Sequence, residues 1–401
     1  MLNYLWPDFD VALILCMIRF MFNIVVNTIP LLSPLTGVGV YTYQLCRYFP
    51  RLDNTFDYTF FYGFFTKELF AYNSDSVSLR TFNKLKFYLR KIPFMGYGLR
   101  KLKSLLSHGH KNFFDLYFEP NFIPLPGIKA KQVIVTVHDF SLCKYPQWHP
   151  KDRVKDFEKN FWPNIKRADL IVTVSQYIKK EALNFLSLPA EKIKVIYNGY
   201  DREIFKRYPF AILKQFKTNF ALPEKFILFI GALEPRKNLL RLIKAYLNLP
   251  LGVKKEIKLV IAGAPGWENK TVKEMIRGQK DIYYLGYVDH QGLAYLYNLA
   301  TLFIYPSLYE GFGLPALESM ACGCPVITSQ QTSLTEVCGD AAFYVNPYDI
   351  DNITRGIYKV LNDVSLQENL REKGLERAKA FSWEKTAQEY LEIFHKVLEN
   401  K

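Results

Sequence analysis
The sequence predicts an α/β protein of two domains, each a parallel sheet covered by helices. Three observations predict it. Short apolar runs alternate with amphipathic stretches in both halves of the chain, so that the hydrophobic period switches repeatedly between strand and helix. At 401 residues the chain is too long for one compact core. A turn-rich stretch with Asn-Gly, Asp and Pro, between Asn198 and Leu222, separates the halves.

The elements follow in order. Residues 1–20 are set aside as an N-terminal extension, with Met21 as an alternative start. The apolar run Val11–Met17 is broken by Arg19 and is shorter than the roughly 20 residues that span a bilayer. Asp8 and Asp10 stand where a secretory signal would carry basic residues. Strands are expected in the first half at Asn23–Asn27, Tyr58–Tyr62, Asp115–Phe118, Gln132–Val137, Leu170–Val174 and Lys194–Ile196. Helices are expected there at Val38–Tyr48, Lys151–Arg167 and Gln176–Phe185. The second half offers strands at Phe226–Ile230, Lys258–Ala262, Ile282–Leu285, Leu302–Tyr305, Pro325–Thr328 and Ala342–Val345. Its helices are Lys237–Leu247, Gln291–Asn298, Pro315–Ala321, Asp349–Asn362, Ser365–Ala380 and Trp383–Leu398. The pattern divides into domains at 21–205 and 206–380, followed by a last helix at 381–401.

Composition excludes a disordered chain, since nearly half the residues are apolar and no long low-complexity tract occurs. Cys16, Cys46, Cys143, Cys322, Cys324 and Cys338 are scattered, and the one-residue spacing of Cys322 and Cys324 is wrong for half a zinc site. Free thiols in a reducing compartment are the simplest account. The formal charge is +14, and it is uneven. Residues 80–111 carry nine Lys or Arg and no acid, interleaved with Phe87, Tyr88, Ile92, Phe94 and Leu102 among other apolar residues. Such a stretch reads as an element facing an anionic membrane surface, where each basic residue adds about 1 kcal/mol. A solvated face is the competing reading; nucleic acid is a third, without a recognition motif to support it.

The richest segment is Tyr305-Pro-Ser-Leu-Tyr-Glu310-Gly-Phe-Gly-Leu-Pro-Ala-Leu-Glu318. The apolar run before it reads as a buried strand and the run after it as a helix. Glu310 therefore sits at a strand end and Glu318 about two turns into the helix. A strand–glycine loop–helix unit presents backbone amides and a helix dipole suited to an anion. With two offset carboxylates, it fits a long polar molecule bearing hydroxyls at both ends and phosphates between, such as a nucleotide sugar. A second segment, Phe229-Ile-Gly231-Ala-Leu-Glu234-Pro-Arg236-Lys237-Asn238, ends a strand and places adjacent cations at a helix start. Cations there oppose the helix dipole unless an anion is bound, which points to phosphate. Thr36-Gly37-Val38-Gly39 opens the first helix; it admits close backbone approach, or simply a tight turn. His138 and Asp139 end the strand Gln132–Val137, where a His can meet a ligand or serve structure alone. Ser175, after Thr173-Val174, reads as a helix N-cap, and Glu336 as structural.

The run from Tyr305 to Val326 resembles, without a gap, the E-x7-E motif of retaining glycosyltransferases of family 4, also called glycosyltransferase group 1. The first loop is similar to the family's Gly-Gly-x-Gly-x-Tyr, with Thr36 in place of its first glycine and Val40 in place of a frequent arginine. The resemblance implies the GT-B fold, in which two Rossmann-like domains face each other across a cleft and the C-terminal helix crosses back to the N-terminal domain. It implies an acceptor-binding N-terminal domain and a nucleotide-sugar-binding C-terminal domain. It implies catalytic roles for His138, Arg236, Lys237 and Glu310. Donor contacts are implied for Gly37, Gly39, Gly231, Val288, Gly311, Phe312, Gly313, Leu314 and Glu318, with Glu310 on sugar hydroxyls and Glu318 on the ribose.

The reaction so implied is retaining transfer of a hexose from a nucleoside diphosphate sugar to a hydroxyl of a glycan or lipid-linked oligosaccharide. No strand ends in Asp-x-Asp, so no metal and no cofactor is expected. The segment Val137–Leu142, with Tyr145-Pro146 and His149-Pro150, is similar to bacterial O-antigen mannosyltransferases, making the expected donor GDP-mannose ahead of a UDP-sugar. The expected place is the cytoplasm, on the inner face of the membrane. A sugar phosphorylase, an epimerase and an inactive scaffold subunit are the competing readings.

Overall fold
The structure is a computed structural model that describes residues 21–32, 37–70, 113–267 and 269–399. Residues 1–20, Thr36 and the basic stretch 80–111 lie outside the described residues. The chain forms two compact units, one of residues up to Pro120 with Pro124–Ile134 and Leu391–Lys401, the other of Asn121–Ile123 and Val135–Tyr390.

Among the described residues the strands in chain order are β1 (Phe22–Asn27), β2 (Phe56–Phe61), β3 (Phe65–Thr66), β4 (Phe113–Glu119), β5 (Lys129–Val137), β6 (Leu170–Thr173) and β7 (Ile193–Val195). They form one sheet in the order β3-β2-β1-β4-β5-β6-β7. Then come β8 (Phe226–Ile230), β9 (Lys258–Ala262), β10 (Ile282–Gly286), β11 (Leu302–Tyr305), β12 (Val326–Ser329) and β13 (Ala342–Val345). These form a second sheet in the order β10-β9-β8-β11-β12-β13. The pairings in this second sheet are parallel. Strands covered on both faces must be apolar throughout, and β8, Phe-Ile-Leu-Phe-Ile, is buried at every position. In both sheets the order reverses beside the first strand, β1 or β8, as in doubly wound Rossmann-like folds.

In the first unit, the helix Gly37–Leu52 buries Tyr41, Leu45 and Phe49, one turn apart on one face. Phe49 stacks on Tyr58 at 5.9 Å and meets Phe118 at 5.9 Å. The end of the last helix, Trp383–Glu399, contributes to this core: Phe394 lies 5.3 Å from Phe49 and 5.7 Å from Phe118. His395 Nε2 is 2.6 Å from Asp53 Oδ2 just outside it. Truncating Phe394 to alanine would cost about 3–5 kcal/mol by the usual core scale.

The predicted strands β8, β9, β11 and β13 match to the residue, and the others differ by a few residues at their ends. Several short elements went unpredicted. The helix Phe210–Asn219 lies inside the turn-rich stretch; it buries only Leu213 and exposes Phe210 and Ile212, so its sequence carries no apolar stripe. The helix Leu251–Glu256 buries nothing, and Asn269–Ile276 and Ser333–Cys338 span barely two turns. The two-residue β3 pairs antiparallel with β2.

Candidate functional site
The site grows from two adjacent strands of the second sheet. β8 and β11 run parallel, with Leu302 beside Ile227, so the loops after them emerge side by side. The loop after β8 carries Arg236 and Lys237, and the loop after β11 carries Glu310. Ligands of open α/β sheets bind at such carboxyl ends.

Glu310 is 6 % exposed. Its Oε1 accepts from Lys237 Nζ at 2.6 Å and its Oε2 from Arg236 Nη1 at 2.9 Å. Arg236 Nε also donates to Glu234 Oε2 at 3.0 Å, and Lys237 Nζ to the Tyr305 hydroxyl, whose ring lies 4.9 Å beneath it. Burial would raise the Glu310 carboxyl, but Lys237 and then Arg236 overcome it and hold it at about 2. Burial likewise opposes the Arg236 charge, and Glu310 and Glu234 raise it above its ordinary range.

The basic pair does not start an α-helix, as the sequence suggested. It occupies a 3-10 turn, Pro235–Lys237, and the α-helix begins only at Leu239. Asn238 intervenes with φ +60°, a left-handed position that Asn tolerates. Its side-chain amide donates to Pro306 O at 3.0 Å and Pro347 O at 2.7 Å, locking the turn beside the β11 loop. The opposition between cations and helix dipole is thus relieved by the left-handed break and by Glu310.

The loop carrying Glu310 is held from several sides. The Glu310 amide donates to Thr332 Oγ1 at 3.3 Å, and Ser333 Oγ donates to the carbonyls of Glu310 at 2.8 Å and Phe312 at 3.0 Å. Thr332 has φ +61° and ψ −148°, a conformation essentially reserved for glycine. Gly311 lies against the strand end at His138, where any Cβ would drive into the His138 carbonyl. Ser175 Oγ, besides accepting from Ile178 N as an N-cap, donates to Gly311 O at 2.8 Å. Gly313, at φ +110°, caps the helix Leu314–Ala321, whose first-turn amides have no intrahelical partner.

Glu318 sits one turn into that helix rather than two. Its Oε2 accepts from the Tyr297 hydroxyl at 3.3 Å. Burial pushes its carboxyl up to about 8, with a further push from Asp201, against the Tyr297 hydrogen bond.

The remaining predicted positions are plainly placed. His138 is half-buried at the end of β5, its ring 5.5 Å from Phe122, and Asp139 Oδ1 accepts from Ser141 N at 2.8 Å, bracing the loop. Gly231 directly follows β8, and Val288 is buried. The Phe312 ring turns inward onto Phe381 at 5.8 Å, leaving its backbone toward the loop. Leu314 is half-buried. Gly37 and Gly39 open the helix Gly37–Leu52 in the first unit, whereas all other candidates belong to the second. Among the described residues, no three His, Cys, Asp or Glu side chains gather where they could hold a metal ion. None of the described helices is long and apolar enough to cross a membrane.

Sequence reasoning missed Glu234, Thr332, Ser333 and the side-chain role of Asn238. Glu234 was recoverable, because an acid two residues before an Arg-Lys pair is a ready partner. Glu336, expected to be structural, accepts on its carboxylate from Gln176 N at 2.7 Å, Tyr177 N at 3.1 Å and the Tyr197 hydroxyl at 2.7 Å, capping the helix Gln176–Leu186.

The chain matches known proteins over most of its length. Residues 212–377 match the family model of glycosyl transferases group 1, and residues 35–204 that of glycosyltransferase family 4. The chain is 34% identical to the O-antigen chain mannosyltransferase B of Escherichia coli over 90% of its length and 96% of that protein's. It is 31% identical to the serotype-specific mannosyltransferase WbdA of Escherichia coli over 69% of its own length, covering 35% of that longer protein. A crystal structure of Anabaena HepE in complex with UDP and glucose superposes with a TM-score of 0.68 at 17% identity, covering 94% of this chain and 100% of that one.

Proposed function
The chain belongs to the group 1, family 4 glycosyltransferases, and from that premise we propose that it transfers mannose, with retention, from a nucleoside diphosphate sugar to a hydroxyl of a glycan or lipid-linked acceptor in surface polysaccharide assembly. GDP-mannose is the first candidate donor and a UDP-sugar the second. The likeness to mannosyltransferases over nearly the whole chain supports the sugar. The observation that carries the chemistry is the Glu310 carboxylate held between Arg236 and Lys237.

Departure of a diphosphate leaves negative charge on the phosphate oxygens and positive charge at the anomeric carbon. Arg236 grips phosphate oxygens through its planar fork, Lys237 adds a mobile point charge, and the first-turn amides beyond Gly313 face the same anion. These groups supply the positive charge that a metal ion supplies elsewhere. Glu310, freed from the cations as phosphate takes them, accepts from sugar hydroxyls, and Glu318 accepts from the ribose. His138 hydrogen-bonds the sugar near the reacting carbon. A double displacement through Glu310 is disfavoured, because in this arrangement that carboxylate is committed to the sugar hydroxyls. Front-face attack, with the departing phosphate taking the acceptor's proton, needs no second carboxylate. The basic stretch 80–111 supports peripheral attachment to the inner face of an anionic membrane, where a lipid-linked acceptor would lie.

The test is a panel of nucleotide sugars with membranes as acceptor source, read as nucleoside diphosphate release. GDP release from GDP-mannose is expected, and it falls away in Lys237→Ala. No turnover with any nucleotide sugar would leave the scaffold alternative standing. Sugar 1-phosphate formed with inorganic phosphate, and no nucleotide, would identify a phosphorylase; interconversion of the sugar on an intact nucleotide would identify an epimerase.

A further inference from the structure
Tyr309, the residue before Glu310, has its whole side chain buried and its polar end fully engaged. Its hydroxyl accepts from the Phe140 amide at 2.9 Å and donates to Glu181 Oε2. Phe140 stands two residues beyond His138, on the loop that leaves β5. Glu181, itself buried, accepts on its other oxygen from Lys144 Nζ at 2.6 Å. Lys144 also donates to the Tyr177 hydroxyl at 3.2 Å and lies 5.8 Å over the Tyr309 ring. The rings of Tyr145 and Tyr177 close on Tyr309 at 5.5 and 6.1 Å. Arg236 Nη1 reaches the Tyr309 carbonyl at 3.4 Å, so one residue touches both the basic pair and the His138 loop.

A buried tyrosine can fill space with its ring alone, and phenylalanine would then serve. The hydroxyl is worth its desolvation only where its bonds fix a geometry. Here those bonds are ordered by chemistry: a backbone amide can only donate, and the Glu181 carboxylate, paired with Lys144, can only accept. The Tyr309 proton therefore has one direction. Burial, with Asp139 and Glu181, raises the phenol far above its usual range and keeps that proton in place.

We propose that Tyr309 is a positioning residue whose hydroxyl fixes the distance between the Glu310 carboxylate and the His138 strand end, with Glu181 and Lys144 holding that hydroxyl in a single orientation. The proposal rests on the transferase function above. In that reaction Glu310 and His138 meet the same sugar, so their separation decides whether the anomeric carbon is aligned for attack. The diphosphate grip of Arg236 and Lys237 does not depend on it.

The test is steady-state kinetics of nucleotide release for Tyr309→Phe, Glu181→Gln and Glu181→Ala, alongside their thermal midpoints. Tyr309→Phe is expected to lower kcat by up to about 10²-fold, the cost of a misplacement on the order of 1 Å, with the donor KM little changed. Glu181→Gln keeps an acceptor oxygen for Tyr309 and is expected to retain more kcat than Glu181→Ala. Wild-type kcat in Tyr309→Phe overturns the proposal. So do equal kcat values in the two Glu181 variants, or a parallel fall of kcat, donor affinity and thermal midpoint across all three, the signature of a packing role. A wild-type protein that turns over no nucleotide sugar removes the transferase reading and this proposal with it, an outcome distinct from an active wild type with an indifferent Tyr309→Phe.

Discussion

Lys237 and Glu310, 73 residues apart in the chain, meet as a buried ion pair with 2.6 Å between Nζ and Oε1. The pair exists because β8 and β11 are neighbours in the sheet although two strands separate them in sequence. Removing Glu310 leaves Lys237 beside Arg236 without the carboxylate between them, whereas removing Lys237 leaves Glu310 its bond from Arg236. Glu310→Ala is expected to destabilise the second unit by about 3–5 kcal/mol, the usual cost of breaking such a pair, and Lys237→Ala by less; both are expected to abolish nucleotide release. Replacing both, as Lys237→Met with Glu310→Gln, is expected to recover much of the stability and none of the activity. Thermal melts with nucleotide-release assays separate the two effects.

Acid should act on this pair from a definite side. The folded Glu310 carboxyl titrates at about 2, below the unfolded value near 4.3, so it contributes stability that is fully present above pH of about 4.5. That contribution is lost as pH falls toward 2. Denaturant midpoints between pH 5 and 2 should drop more steeply for the wild type than for Glu310→Gln.

Glu318 behaves in the opposite sense. Its folded carboxyl is raised to about 8, so the fold favours the protonated form, and its contribution to stability declines as pH rises from the unfolded value toward 8. In the proposed role of Glu318 on the ribose, a carboxylate, unlike the acid, offers only acceptors to the two hydroxyls. Donor affinity is therefore expected to strengthen as pH rises through about 8, and this limb should vanish in Glu318→Gln. Isothermal titration with a nucleoside diphosphate from pH 6 to 9 reads it directly.

Glu336 offers a control. Its carboxylate satisfies two amides at the start of the helix Gln176–Leu186 and the Tyr197 hydroxyl. Glu336→Ala is expected to cost about 0.5–2 kcal/mol of stability, the usual cost of losing a helix cap. The donor KM measured well below the melting temperature should not move.

The alternation of apolar runs made both sheets legible, because parallel strands buried on both faces read as unbroken apolar segments: Phe226–Ile230 and Leu302–Tyr305 were found to the residue. The spacing of Glu310 and Glu318 located the loop–helix unit that carries them. What stayed hidden was pairing across the fold. Nothing local to Arg236-Lys237 shows that their partner is Glu310, because a carboxylate at a strand end names no partner until strand order is known. The same holds for Glu336, which the sequence marks as structural without naming the helix it caps. Asn238 was invisible for another reason: its left-handed φ breaks a helical period that the Leu239–Leu247 stripe carries on its own.

Thr332 gives the site an evolutionary cost. A β-branched residue held at φ +61° and ψ −148° forgoes about 1–3 kcal/mol that glycine would recover. Selection for stability alone would replace it with glycine. Glycine, however, has no hydroxyl to receive the Glu310 amide, and the loop that carries Glu310 would gain freedom. Variants selected only for heat resistance should therefore drift at this position toward Thr332→Gly, surrendering turnover as they gain melting temperature, a stability–activity trade-off concentrated in a single side chain.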